Sequence, residues 1–261
     1  MLKKRLIGVV TVKNGRAVQS FGYRRYLPLG KPECMVENLD RWGADEILVQ
    51  VIDRSMAGCG PDFELLGKLA RLGLGTPLIY GGGIRTVEEG VKVIQSGADR
   101  VTVDALLHDD LSVVRGLSNR LGSQALIASM PMAMGMHGPG WYDYRSKTTG
   151  PIGDALIEAI EEGVVSEVLL TDCMHEGVPN GFDETLIGLF PYRKVPLIVF
   201  GGISSADQIR GVLARPNVVA ASIGNFLNYS EHAIQKFKEV SASAALRPST
   251  YATEYSLLVD D

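Results

Sequence analysis

The chain alternates two hydrophobic rhythms from end to end. Short runs rich in Val, Ile and Leu, such as Leu6–Val12, Ile47–Ile52, Val101–Val103 and Val168–Thr171, are separated by longer amphipathic stretches. A continuous apolar run of that length suits a strand buried on both faces, and the longer period suits a helix lying on it. The spacing predicts strands near 5–12, 46–52, 77–80, 100–104, 124–130, 167–171, 196–200 and 218–222. Helices fill the intervals, for example Val87–Ser96 and Ile152–Glu162, and one trails over Glu231–Val240. Eight strands each followed by a helix make the α/β pattern of a (β/α)8, or TIM, barrel. No Pro/Gly/Ser-rich linker intervenes, so residues 1–240 read as a single barrel and 241–261, which has no clear period, as a C-terminal extension.

The chain also repeats itself. T-P-L-I-Y-G-G-G-I (Thr76–Ile84) returns as V-P-L-I-V-F-G-G-I (Val195–Ile203), with Gly81 and Gly201 120 positions apart. A-D-E-I-L-V (Ala44–Val49) is echoed by V-S-E-V-L-L (Val165–Leu170), with Glu46 and Glu167 in step. Two half-barrels of four βα units each would produce that period.

Composition narrows the function classes. A net charge of −4 gives no electrostatic reason to expect nucleic acid or an anionic membrane as partner. Lys3, Lys4 and Arg5 before Leu6–Val10 superficially resemble a signal peptide, but the apolar stretch is short and runs into Lys13, Asn14 and Gly15, so a buried first strand is expected. Cys34, Cys59 and Cys173 are few, odd in number and not spaced as metal ligands. They read as packing residues in a reducing cytoplasm, with no metal and no cofactor implied.

Two sets of residues carry candidate chemistry. Arg5, Glu46, Arg100 and Glu167 each stand just before an apolar run, so in a closed barrel two cations and two anions converge at the N-terminal mouth. That end normally serves stability, which makes a charge ring there notable; a self-paired structural plug is the plain alternative. At the other end, Gly81-Gly82-Gly83 and Gly201-Gly202 each follow a strand and precede a helix. Glycine lets the backbone approach an anion, and a helix N-terminus favours negative charge. The pair suggests a long ligand with a phosphate at each end, or else two tight turns without ligand. Ala221-Ser222 can add a hydroxyl to the second site, whereas Asp104-Ala105 stands near the first, where a carboxylate repels phosphate.

These features come with longer motifs. M-L-K-K-R-L-I, V-K-N-G-R-A-V, G-A-D-E-I-L-V, Y-G-G-G-I, S-G-A-D-R-V, L-G-S-Q-A, L-L-T-D-C-M-H-E-G and N-G-F-D together resemble the cyclase subunit of imidazole glycerol phosphate synthase, to about Val240. The resemblance implies a twofold-symmetric barrel with a glutaminase partner on its N-terminal face. Ammonia would pass along the axis to a bisphosphorylated aminoimidazole-pathway intermediate at the C-terminal face. Arg5, Glu46, Arg100 and Glu167 then match the family's ammonia gate, with Arg100 in place of the usual Lys, and Asp99 matches an acidic residue facing the glutaminase. Gly177 joins Gly201, Gly202, Ala221 and Ser222 in the second phosphate set.

The catalytic face departs from that family. Its two acid–base aspartates fall at Thr11 and at Pro131, or Met130 if a one-residue gap is allowed. Its loop lysine is Gln19, its strand-two aspartate is Val51, and its aspartate after strand six is Met174. Threonine does not titrate near neutrality, and Met and Pro carry no proton. General acid–base groups contribute about 10²–10⁴-fold each, so losing both should nearly abolish the family reaction. Three readings follow. The chain is an ammonia-receiving synthase-type subunit repurposed for another pathway, such as amidination of bacterial surface sugars. Or it is a working histidine-pathway cyclase with relocated groups drawn from Asp104, His175 and Glu176, with Asp53 and Asp172 also at strand ends. Or it is a non-catalytic regulator that binds a phosphorylated metabolite and activates its glutaminase.

Other segments have local readings. Arg24 and Arg25, in the long loop after strand one, can clamp an anion as that loop closes, or form a solvated basic turn. Trp141, Tyr142 and Tyr144, with Gly138 and Gly140, suggest a hairpin over the mouth. Met130, Met132, Met134 and Met136 alternate as a soft apolar lining.

Overall fold

A computed structural model describes residues 3–135, 138–191, 194–241 and 245–250. Its strands are β1 (Arg5–Lys13), β2 (Arg16–Phe21), β3 (Arg25–Gly30), β4 (Glu46–Val51), β5 (Leu78–Gly81), β6 (Arg100–Val103), β7 (Leu126–Gly135), β8 (Gly138–Asp143), β9 (Thr148–Gly150), β10 (Glu167–Asp172), β11 (Leu197–Phe200) and β12 (Val218–Ile223). Its helices are α1 (Pro32–Arg41), α2 (Phe63–Ala70), α3 (Val87–Gln95), α4 (Ala105–Asp109), α5 (Leu111–Leu121), α6 (Asp154–Glu161), α7 (Thr185–Leu189), α8 (Ala206–Ala214) and α9 (Ala233–Val240). No helix among the described residues is long and apolar enough to cross a membrane.

All eight expected strands form. β1, β4, β5, β6, β7, β10, β11 and β12 pair in parallel, and the β10–β7 pairing closes them into a (β/α)8 barrel. Alternation along each strand separates two apolar shells. Ile7, Leu48, Ile79, Ile127, Leu169 and Ile198 fill the lumen. Their neighbours, such as Leu6, Ile47, Leu126 and Val168, pack outward against the helices. The four remaining strands form additions at the C-terminal rim: β2 and β3 pair antiparallel beside β1, and β8 and β9 extend β7.

The half-barrel repeat reaches local detail. Thr86 caps α3 by accepting from Glu89 N, and Ser205 caps α8 by accepting from Gln208 N. In each case the residue three positions into the helix reaches back: Glu89 accepts from Arg85 N and Gln208 from Ser204 N. The turns themselves correspond one position off the simple sequence match. Gly82 (φ 133°) and Gly201 (φ 103°) each lie against the strand-end carbonyl of the preceding unit, Val51 and Asp172.

The described part of the C-terminal extension returns to the barrel's N-terminal face. Leu246 bridges Lys4 in parallel, and buried Lys238 of α9 holds Asp45 at 2.8 Å and the Gly43 carbonyl at 2.8 Å. Residues 251–261 lie outside the described residues. One sequence reading is corrected here: Cys34 and Cys59 are exposed, and Cys173 alone is packed.

Candidate functional site

The charge ring closes. Arg5 meets Glu46 at 2.8 Å and Glu167 at 2.5 Å, while Arg100 meets Glu46 at 3.2 Å and Glu167 at 2.7 Å. Signs alternate around the circuit, so each charge has two opposite neighbours. Arg100 also donates to the Gln124 carbonyl (3.1 Å) and the Ser166 hydroxyl (2.9 Å). Above this neutral layer the lumen is apolar up to the C-terminal mouth.

That mouth holds a cavity of about 610 Å³, within the size range of small-molecule sites. Its floor includes Gln50, Gly81–Gly83, Thr102, Asp104, Ser129, Pro131 and Thr171. The β2–β3 hairpin contributes Tyr23, Arg24 and Tyr26, and the β8–β9 hairpin contributes Tyr142, Tyr144 and Lys147. Lys13, at the end of β1, lies 3.7 Å over the Tyr26 ring. Tyr23 donates to Gln50 Oε1 at 3.4 Å. Burial, reinforced by the nearby Glu176 carboxylate, pushes the Tyr23 phenol well up, and burial pushes Tyr144 up to about 12.

The hairpins explain several sequence-picked residues. Trp141 is buried and stacks on His108, with centroids 3.5 Å apart, while Arg145 ties Asp143 (3.3 Å) to Asp109 (2.6 Å). Trp141 is therefore local packing, and Tyr142 and Tyr144 face the cavity. Arg24 lines the rim, but Arg25 turns away onto the Phe21 ring. The methionine reading is corrected by strand parity. Met130 and Met132 point outward into the helix shell, Met134 is exposed, and Met136 lies outside the described residues.

Parity also places Thr11, Met130 and Pro131. Pro131, not Met130, faces the cavity, and Thr11 is buried in step along β1 with lumen-facing Ile7 and Val9 but is not part of the cavity lining. Neither place offers a titrating group to a ligand.

The candidate replacements fare differently. Glu176 is buried outside the cavity lining, where its carboxylate accepts from Ser20 Oγ (3.0 Å) and Tyr23 N (3.2 Å). Burial raises its pKa, opposed by those donors. Asp172 accepts from Met174 N, His175 N, Asp183 N and His175 Nδ1, the last at 2.8 Å, and so organises the loop after β10. His175 is held by that bond with its ring half-exposed, away from the cavity lining. Asp53 accepts from Asn14 N (2.7 Å) at the surface. Asp104 alone faces the cavity. Its Oδ1 is buried without a hydrogen-bond partner, and burial, with Asp143 and Asp109 nearby, pushes its carboxyl up to about 8 against the pull of Arg145.

The two glycine turns are not equivalent either. A Cβ on Gly82 would stand 2.3 Å from Val51 O, and one on Gly202 2.7 Å from His175 O, so packing alone requires glycine at both. Gly81–Gly83 open onto the cavity. Gly177, Gly201, Gly202, Ala221 and Ser222 are outside its lining, and the β2–β3 hairpin is locked nearby through Ser20 and Asn225. The cavity therefore takes in one turn and not the other. Lys13, Gln50, Tyr23, Tyr26 and Lys147 are members that residue-by-residue reading passed over; Lys13 and Gln50 had a signal in their place at strand ends.

Comparison with known proteins bears on this arrangement. Residues 5–233 match the family described as "Histidine biosynthesis protein". The chain belongs to that family. It is 30% identical over 252 residues to a Vibrio vulnificus protein named "Putative imidazole glycerol phosphate synthase subunit hisF2", covering 95% of this chain and 89% of that protein. A protein of the same name from Pseudomonas aeruginosa is 27% identical over 89% of this chain and 94% of its own length. The "Imidazole glycerol phosphate synthase subunit HisF" of Natranaerobius thermophilus is 27% identical over 91% of this chain and 95% of its own.

Proposed function

We propose that this protein is the ammonia-receiving, synthase-type subunit of a glutamine amidotransferase pair, acting on a phosphorylated acceptor outside the usual imidazole-forming reaction. A glutaminase would dock on the N-terminal face. The closed ring of Arg5, Glu46, Arg100 and Glu167 carries this reading. Neutral ammonia can cross the apolar lumen above the ring, whereas ammonium would have to shed its hydration there at a large cost. Swinging either arginine aside breaks two ion pairs, which suits a gate opened by a partner's binding energy. Thr11 and Pro131 argue against the usual chemistry at the far end, and the acceptor is left to the cavity's own groups. Amidination of bacterial surface sugars is the pathway suggested by resemblance.

One observation favours the second reading, a histidine-pathway cyclase with a relocated acid: Asp104 faces the cavity with a raised pKa. Incubation with the bisphosphorylated histidine-pathway intermediate and a high concentration of ammonium salt separates the two without needing the glutaminase. Repurposing expects no imidazole glycerol phosphate from folded protein. Turnover at the rate of an ordinary cyclase subunit would overturn it in favour of the second reading.

A further inference from the structure

The polar groups around the large cavity are unevenly distributed. Lys13, Arg24 and Lys147 border it, and none of the three belongs to an ion pair among the described residues. Asp104 stands at the end of β6, one strand over from the Gly81–Gly83 turn, with parallel register placing Gly81 opposite Thr102. Its Oδ1 is buried and has no donor. The charged and titratable groups around it are Arg145 and Asp143 of the β8–β9 hairpin, Asp109 of α4, and Tyr23, Tyr144 and Cys173. Arg145 is the cation felt by Asp104, and its bonds to Asp143 and Asp109 leave an ionised Asp104 without an ion-pair partner of its own beside a phosphate.

We propose that Asp104 is the specificity-determining residue of the cavity: it donates a hydrogen bond to an uncharged oxygen of the substrate and excludes a phosphate from the Gly81–Gly83 end, so the site takes a sugar-type substrate with one phosphate rather than two. The single phosphate is assigned to one of the cations that border the cavity, Lys13, Arg24 or Lys147. The phenol rings of Tyr23, Tyr26, Tyr142 and Tyr144 give the carbon skeleton faces that are apolar at the centre and polar at the edge, as a polyhydroxylated chain or ring requires. With its carboxyl raised to about 8, Asp104 is a donor at neutral pH and becomes an added repulsion above it. This inference deepens the proposed function by naming the acceptor's class, and it rests on that reading for its place in a reaction.

Calorimetric titration with ribulose 5-phosphate and ribulose 1,5-bisphosphate at pH 7 and pH 9, on the wild type and Asp104→Asn, tests it. The wild type is expected to favour the monophosphate, by about tenfold or more at pH 9 and by less at pH 7. Asp104→Asn keeps the shape and removes the titration. It is expected to admit the bisphosphate about tenfold better at pH 9 and to flatten the pH dependence of the preference. A wild type that prefers the bisphosphate at both pH values, an unchanged ratio in Asp104→Asn, or no binding of either sugar overturns the proposal. Because no ammonia is involved, such a result leaves the amidotransferase reading standing. Failure of ammonia transfer would conversely leave this binding preference intact.

Discussion

At the scale of single residues, a carboxyl without a partner has a thermodynamic signature independent of any substrate. Asp104 titrates at about 8 in the folded protein, against 3.8 ordinarily. Between those values the native state holds a proton that the unfolded chain has released, so stability falls as pH rises through that window. The slope can reach about 1.4 kcal/mol per pH unit. Asp104→Asn should therefore melt higher than the wild type, by a margin that widens from pH 5 to pH 8 and then levels off. Parallel melting curves across that range would mean the carboxyl finds a partner in solution. Asp104 could be chosen from the sequence because it ends a strand. Its isolation could not, because it depends on Arg145 being drawn off by Asp143 and Asp109, residues of a hairpin and a helix whose contact only the fold creates.

Elements were legible where burial imposes a period. The eight barrel strands are buried along their length, and each shows in the chain as an apolar run. The β2–β3 hairpin does not, because β3 has no buried face to leave a rhythm. It is held instead by point contacts: Glu176 on Ser20 and Tyr23, the Glu176 carbonyl on Gly22 N, and Asn225 across Ser20. Glu176 is thus better described as the hairpin's anchor than as a proton carrier. Glu176→Ala strips two donors of their acceptor at a local cost of about 1–3 kcal/mol. Trypsin cleavage after exposed Arg24 and Arg25 should speed up by about tenfold or more, with a smaller change for Glu176→Gln, which keeps an acceptor. Unchanged cleavage in Glu176→Ala would show that Asn225 and strand pairing hold the hairpin alone. The two glycine turns divide the same way: close packing makes both readable as turns, but that Gly81–Gly83 and not Gly201-Gly202 lines the cavity shows only in the fold.

For the whole molecule, the ring is where four distant parts of the chain act as one unit. Arg5, Glu46, Arg100 and Glu167 start β1, β4, β6 and β10, and barrel closure alone brings them together. Their convergence follows from the sequence once a barrel is inferred, since the first residues of parallel strands gather at one end. The cyclic pairing is visible only in the fold. In such a circuit, losing one member strands its neighbours. Glu167→Leu leaves Arg5 and Arg100 sharing Glu46, an excess positive charge in a layer that is at most 14% exposed at any of these side chains. The expected loss is about 3 kcal/mol in urea unfolding, because a largely buried charge is left uncompensated. Arg5→Met in the same chain restores neutrality and leaves Arg100 with Glu46. The double variant should therefore be more stable than Glu167→Leu alone, with a coupling of about 1 kcal/mol or more. Four independent surface pairs would instead give additive losses, and the double variant would be the least stable of the set. Cooperative pairing is also what a gate needs, because moving one arginine is then resisted by the whole layer rather than by one weak bond.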